Sequence, residues 1–139
     1  MAAVFFYGTL LDAKVREYVF ADSIREEQLI AARAEGYRTM TYPGESFPIL
    51  VEAVGSVVNG LLLLDPCPEA LERMAFYEGE LYWLDDLEVM TGDGETLPAK
   101  YNRASEEGLV LEQEWRFSEW QSTTRDALLE ISQRPWEQD

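Results

Sequence analysis

The sequence predicts one domain that mixes short strands with helices, and three observations predict it. The chain has 139 residues, 47% of them hydrophobic and 12% aromatic, enough for one core and typical of a globular chain. Runs of β-branched, aromatic and aliphatic residues alternate with segments of helical periodicity. No internal repeat, low-complexity tract or long linker divides the chain, so residues 1–139 read as a single domain.

The elements follow in order. Val4, Phe5 and Phe6 read as a buried strand, broken at Gly8. Residues 11–21 read as a short helix, with Thr9 placed to cap it and Leu11, Val15, Tyr18 and Val19 at helical spacing. The stretch 24–35 is ambiguous. Arg25, Glu26, Glu27, Leu29, Ala31 and Ala32 favour helix by propensity, yet Leu29 to Tyr42 also reads as a long strand bent at Gly36. Tyr42-Pro43-Gly44 signals a turn. Pro48 to Val51 and Val57 to Leu64 read as two strands. The second is apolar on both faces and therefore central, and Gly60 within it marks a bulge or a close backbone approach. Asp65-Pro66 ends it.

Pro68 to Tyr77 reads as a helix, with Pro68 and Glu69 at its start and Gly79 at its C-cap. Trp83 to Thr91 and Leu97 to Ala104 read as strands joined at Gly92-Asp93-Gly94. Leu109-Val110-Leu111 is a short apolar segment. Ser118 with Gln121 has the form of a capping box for a last helix, whose face carries Trp120, Thr124, Leu128 and Ile131 and which Pro135 ends.

Composition narrows the chemistry. The chain has no histidine and one cysteine, Cys67, which excludes an intrachain disulfide, Cys/His zinc sites and Ser–His or Cys–His catalysis. Any acid–base work falls to Asp, Glu, Tyr, Lys or the lone Cys. Cys67 lies between two prolines with no basic neighbour, which argues against a nucleophile. The net charge of −16, from 11 basic and 27 acidic residues, makes nucleic acid and anionic membrane poor partners. No apolar run approaches the ~20 residues of a membrane span, and the first residues lack the basic start of a signal peptide, so a cytoplasmic location is expected.

Two stretches carry candidate chemistry. A strand, a glycine turn and a helix start at Phe5-Phe6-Tyr7-Gly8-Thr9-Leu10 would present free backbone N–H groups at one point, a site for a carboxylate or an oxyanion; the same stretch is also an ordinary strand-to-helix turn. In the helix of residues 68–78, Leu71, Met74 and Ala75 form the apolar face, and Glu78 is the next position in line, at i+7 from Leu71. Desolvation and the negative end of the helix dipole both disfavour a carboxylate there, raising its pKa toward the range of a general acid or base. If the helix ends a residue earlier, Glu78 is solvated instead. Asp85-Asp86, Glu106-Glu107 and Glu26-Glu27 read as solvated faces, and Tyr82, Trp83 and Tyr101 as core before site.

Taken together, Phe6-Tyr7-Gly8-Thr9-Leu10 followed by a helix, then Gly36-Tyr37, Pro48-Ile49-Leu50-Val51, Val58-Asn59-Gly60-Leu61-Leu62 and Tyr77-Glu78-Gly79 with Tyr82 resemble the γ-glutamylcyclotransferase-like family from about residue 4 to Tyr101. The tail with Trp115, Ser118 and Trp120 is similar to the ending of one branch of that family. The resemblance implies an α+β fold, a small, mainly antiparallel β-barrel with flanking helices, and so favours strand over 28–42. It implies an enzyme in which the γ-glutamyl α-amine attacks its own γ-carbonyl, releasing 5-oxoproline and an amine or amino acid. It assigns Glu78 as the acid–base residue, places Tyr7, Gly8, Thr9 and Leu10 against the γ-glutamyl group, and matches Tyr82 and Tyr101 to aromatic substrate-binding positions. It requires no metal and no organic cofactor. The expected partner is a small γ-glutamyl compound, with no nucleic acid and no membrane, and the chain is expected to be a monomer or weak homodimer. The competing expectation is a non-catalytic module on the same fold that binds a small carboxylate or a protein. Specificity is expected in segments 40–48 and 92–118, with Tyr42 to Phe47 as a pocket rim or lid.

Overall fold

The computed structural model describes residues 3–129. Five strands close into a barrel in the order β1-β3-β2-β4-β5. They are β1 (Ala3–Phe6), β2 (Leu29–Thr41), β3 (Pro48–Leu64), β4 (Tyr82–Thr91) and β5 (Thr96–Ala104). Three helices lie outside it: α1 (Ala13–Phe20), α2 (Pro68–Glu78) and α3 (Phe117–Thr123). All strand pairs are antiparallel except β1 with β5, which meet in parallel at Val4 and Lys100.

The unbroken apolar run of β1 follows from its place. Ala3 and Phe5 point into the barrel with Leu62, Leu87, Val89 and Ala99. Val4 and Phe6 point outward, where α1, α2 and α3 cover them through Val15, Phe20, Met74 and Trp120. A strand buried on both faces has no polar alternate. Its partner β3 is central as expected. The two apolar runs 48–51 and 57–64 nevertheless form one strand of 17 residues rather than two. Gly55, at φ 87°, lets it bend without breaking.

The ambiguous stretch resolves as strand. Only Glu26–Gln28 makes a helical turn, of 3-10 type, before β2 runs 13 residues along β3. Pairing along β3 and the burial of Ala32 and Ala34 inside the barrel outweigh the helical propensity of the alanines. The bend is at Gly36, at φ 84°, where the register shifts between Glu35 and Tyr37. Gly60 is a close approach and not a bulge, since the β2–β3 register passes through it unbroken. A Cβ there would lie 2.2 Å from the Phe6 carbonyl oxygen and 2.8 Å from the Phe5 ring.

Two helix starts differ from expectation. Thr9 does not cap α1. The chain makes a 3-10 turn at Thr9–Leu11, and Asp12 caps instead, accepting from the Lys14 and Val15 N–H groups at 2.9 and 3.0 Å. Helix α3 begins before Ser118, with Arg116 at the cap position and no side-chain cap bond. Gln121 is drawn elsewhere and donates to the buried Asp12 at 2.7 Å. A further helical turn follows Thr124 through residue 129, and Leu128 packs on the outer core. Ile131, Pro135 and Trp136 lie outside the described residues. Leu109 and Leu111 pack against a third cluster around Ile49 without regular structure, and Val110 is exposed. Among the described residues no helix is long and apolar enough to cross a membrane.

Candidate active site

The first half of the site is where β1 leaves the barrel. Gly8 packs against Pro48 at the start of β3, and a Cβ on it would lie 2.9 Å from Pro48 Cγ. Glycine is therefore needed for proximity rather than for an unusual φ. The turn is closed by Leu11 N–H to Gly8 O at 3.0 Å and Asp12 N–H to Thr9 O at 3.1 Å. Among the described residues no acceptor pairs with the N–H groups of Gly8, Thr9 or Leu10. Those are the donors that the start of a helical turn leaves open.

The second half is the end of α2. Its register is fixed by Ala70 and Met74, both buried, and by Tyr77, whose hydroxyl hydrogen-bonds Thr9 Oγ1 at 2.7 Å. That bond ties the helix end to the Gly8 turn. The buried stripe is Ala70 and Met74, flanked by Leu71 and Tyr77; Ala75, expected on it, is exposed. Glu78 is the last helical residue, four beyond Met74, and Gly79 turns the chain away at φ 77° with its N–H on the Ala75 carbonyl. Glu78 is part-exposed as a residue because it borders a cleft, yet protein surrounds its carboxyl. Burial pushes its pKa from 4.5 up to about 7, with no cation or hydrogen bond to offset it.

The halves meet in one cleft of about 320 Å³, part of it open to solvent. Tyr7, Gly8, Thr9, Leu10, Glu78 and Tyr82 all line it. The Tyr82 hydroxyl donates to the Pro48 carbonyl at 2.6 Å and the Tyr7 hydroxyl to the Asn102 carbonyl at 2.5 Å. Burial first, then the neighbouring Glu78 and tyrosines, hold both phenols well above their ordinary pKa. Each is therefore a neutral, oriented wall and not a proton acceptor. Tyr101 is not brought to the cleft. It is buried in the barrel, edge-on to Tyr7 with ring centroids 6.4 Å apart, so it supports Tyr7 from behind.

A family model described as γ-glutamyl cyclotransferase, AIG2-like, matches residues 4–119. The chain belongs to this family. No curated protein matches it in sequence. Among solved structures, two Arabidopsis thaliana proteins determined in solution superpose with TM-scores of 0.69 at 21% identity, over 98% of this chain and 91% and 82% of theirs. A structure titled gamma-glutamyl cyclotransferase superposes with a TM-score of 0.59 at 14% identity, over 81% of this chain and 69% of its own. These likenesses concern the fold.

Within this family member the cleft is also lined by Phe47, from the expected rim, and by Pro48 and Asn102, which the sequence reading did not single out. Phe47 stacks at a tilt on Tyr42, 5.3 Å away, and meets Tyr82 edge-on at 5.9 Å, so the expected rim at 42–47 does border the cleft. Pro48 had a readable signal, a proline opening an apolar strand, but its partner Gly8 lies 40 positions away. Asn102 gave none, since its contribution is a backbone carbonyl. Among the described residues no group of three or more His, Cys, Asp or Glu is arranged to hold a metal ion.

Proposed function

We propose that this family member is a γ-glutamyl cyclotransferase that works with Glu78 as its only acid–base group. The observation that carries the reading is the Glu78 carboxyl, raised to about 7 and opening into the same cleft as the unpaired Gly8–Leu10 N–H groups. The substrate's α-amine attacks its γ-carbonyl carbon, forming a C–N bond and closing a five-membered ring. The C–N bond to the leaving group then breaks. The α-ammonium gives up two protons: one passes through Glu78 to the departing nitrogen, and the second, shed by the ring nitrogen after attack, returns to Glu78 and leaves to water or to the freed amine, so atoms and charge balance without a redox partner.

The energetics favour this assignment. A free α-ammonium has a pKa of about 8, so giving its proton to a group at about 7 is uphill by roughly 1.4 kcal/mol. An ordinary glutamate near 4.3 would face roughly 5 kcal/mol for the same transfer. Proton delivery to the leaving nitrogen is the larger service, because an amine anion is a very poor leaving group. Together such transfers contribute a factor of roughly 10²–10⁴. Each N–H of the Gly8 turn aimed at the developing oxyanion would add roughly 3 kcal/mol, and holding the amine against the carbonyl supplies the orientation term.

The test is release of 5-oxoproline from γ-glutamyl amino acids, glutathione and γ-glutamyl amines by wild type and Glu78→Gln. Product from wild type that falls by at least about 100-fold in the folded variant is expected. Full activity in Glu78→Gln would remove Glu78 from the mechanism. Absence of product from every compound, with thermal stabilisation by one of them, would instead favour a binding module.

A further inference from the structure

The backbone of the Gly8 turn is engaged on one side only. The N–H groups of Thr9 and Leu10 are open at the cleft, whereas every carbonyl from Gly8 to Leu11 accepts a hydrogen bond. Gly8 O accepts from the Leu11 N–H at 3.0 Å and Thr9 O from the Asp12 N–H at 3.1 Å. The other two are taken by a single side chain. Arg16 Nη1 donates to Leu10 O at 2.9 Å and to Leu11 O at 2.8 Å. Arg16 stands at the start of α1, its N–H on the Asp12 carbonyl, and helical side chains lean toward the N-terminus. It therefore reaches back onto the turn without lining the cleft.

A peptide unit is planar and trans, so holding its oxygen also sets the direction of its N–H. Arg16 holds the Leu10–Leu11 and Leu11–Asp12 units by their oxygens. The N–H groups of those units hold Gly8 O and Thr9 O. The units that carry these two oxygens also carry the Thr9 and Leu10 N–H groups. Two chains of hydrogen bonds thus run from one guanidinium to the two open donors. The chains also transmit its charge, because hydrogen bonds in series polarise one another. Such help matters here, since no Lys or Arg lines the cleft and the protein has a net charge of −16.

We propose, on the basis of the cyclotransferase reading, that Arg16 is a positioning residue: without touching the substrate, it aims and polarises the Thr9 and Leu10 N–H groups toward the oxyanion formed when the α-amine adds to the γ-carbonyl. That charge exists only after attack, so Arg16 acts on kcat and leaves KM nearly unchanged.

The test measures kcat and KM for 5-oxoproline release by wild type, Arg16→Gln and Arg16→Lys, on the γ-glutamyl compound that wild type turns over fastest. Rates are expressed per folded molecule, with the folded fraction taken from urea denaturation. Gln is a good helix former that lacks the charge, and Lys keeps the charge on a shorter stem. Arg16→Gln is expected to lower kcat by at least about tenfold with KM within about threefold of wild type, and Arg16→Lys to recover most of that loss. Should Arg16→Gln not fold, Arg16→Met takes its place in the same comparison. Wild-type kcat in the uncharged variant overturns the inference and leaves the cyclotransferase reading standing. So does a rise in KM alone, or a loss in Arg16→Lys as deep as in Arg16→Gln. Absence of 5-oxoproline from every compound with wild type overturns the cyclotransferase reading, and this inference with it.

Discussion

At the scale of single residues, Glu78 is where burial and chemistry meet. Its pKa of about 7 in the folded chain, against about 4.3 in an unfolded one, means that the native state holds a proton which the unfolded state has lost. The protonated carboxyl therefore favours folding fully below pH 4, and this advantage is lost as pH rises from there through 7. Above pH 8 the buried anion costs roughly 3.5 kcal/mol. Glu78→Gln should accordingly be more stable than wild type at pH 8, by up to that amount, and the gap should close by pH 4; urea denaturation at the two pH values measures it. Activity should follow a bell. Below about 7 both Glu78 and the substrate amine are protonated, and above about 8 both are bare, so kcat/KM should peak between these values. In Glu78→Gln the limb at about 7 should be lost, and whatever activity remains should rise with the free substrate amine toward about 8 and then level off. Spacing puts Glu78 in line with the apolar side of its helix but leaves open whether the helix reaches it, and its desolvation depends on walls from β1 and β4, remote in the chain.

At the scale of elements, two junctions hold the site. One is the contact of the Gly8 turn with Pro48 and, through the Thr9–Tyr77 hydrogen bond, with α2. Tyr77→Phe leaves the ring packing and removes that bond. It should cost about 1 kcal/mol in stability and a larger share of activity, checked by denaturation and by 5-oxoproline release from the same sample. The other is Asp12, 1% exposed, which caps α1 and also accepts from Gln121 at 2.7 Å and Arg125 at 3.4 Å. Burial disfavours its charge, but the bonds from Gln121, the Val15 N–H, Arg125 and the Lys14 N–H outweigh it and hold the pKa below the ordinary value. Asp12→Ala should destabilise by roughly 2–3 kcal/mol, from a lost cap and unpaired tail partners, visible as a lower urea midpoint. The sequence showed the elements clearly and their ends less well. Thr9 and Ser118 are cap-forming residue types, yet each stands next to a stronger arrangement that only the folded chain supplies.

At the scale of the whole molecule, the barrel is closed by one short strand pressed between two others. Gly60→Ala would drive a Cβ into the Phe6 carbonyl at 2.2 Å, where backbone and not a flexible side chain must yield. A loss of about 3 kcal/mol or more is expected, read as a lower thermal midpoint. The charge of −16 acts over the same scale. Its self-repulsion is screened as the Debye length falls from ~30 Å at 0.01 M to ~8 Å at 0.15 M salt, so the thermal midpoint should rise across that range.

The sequence by itself determined most of the strands and helices, the turn after Phe6, that Gly60 is a special backbone position, the exclusion of histidine chemistry and the line of Glu78 with an apolar face. These are local, because a period of two or 3.6 residues, a glycine or an absent residue type is legible within a short window. Tertiary structure alone decided that 48–64 is one strand, that Gly8 meets Pro48, and that Tyr82 reaches the cleft while Tyr101 stays behind Tyr7; the strand at 29–41 is open on propensity and favoured only by the family resemblance. Each of these depends on which distant segments are pressed together. Burial, and with it the Glu78 pKa, is a property of that neighbourhood and not of the residues along the chain.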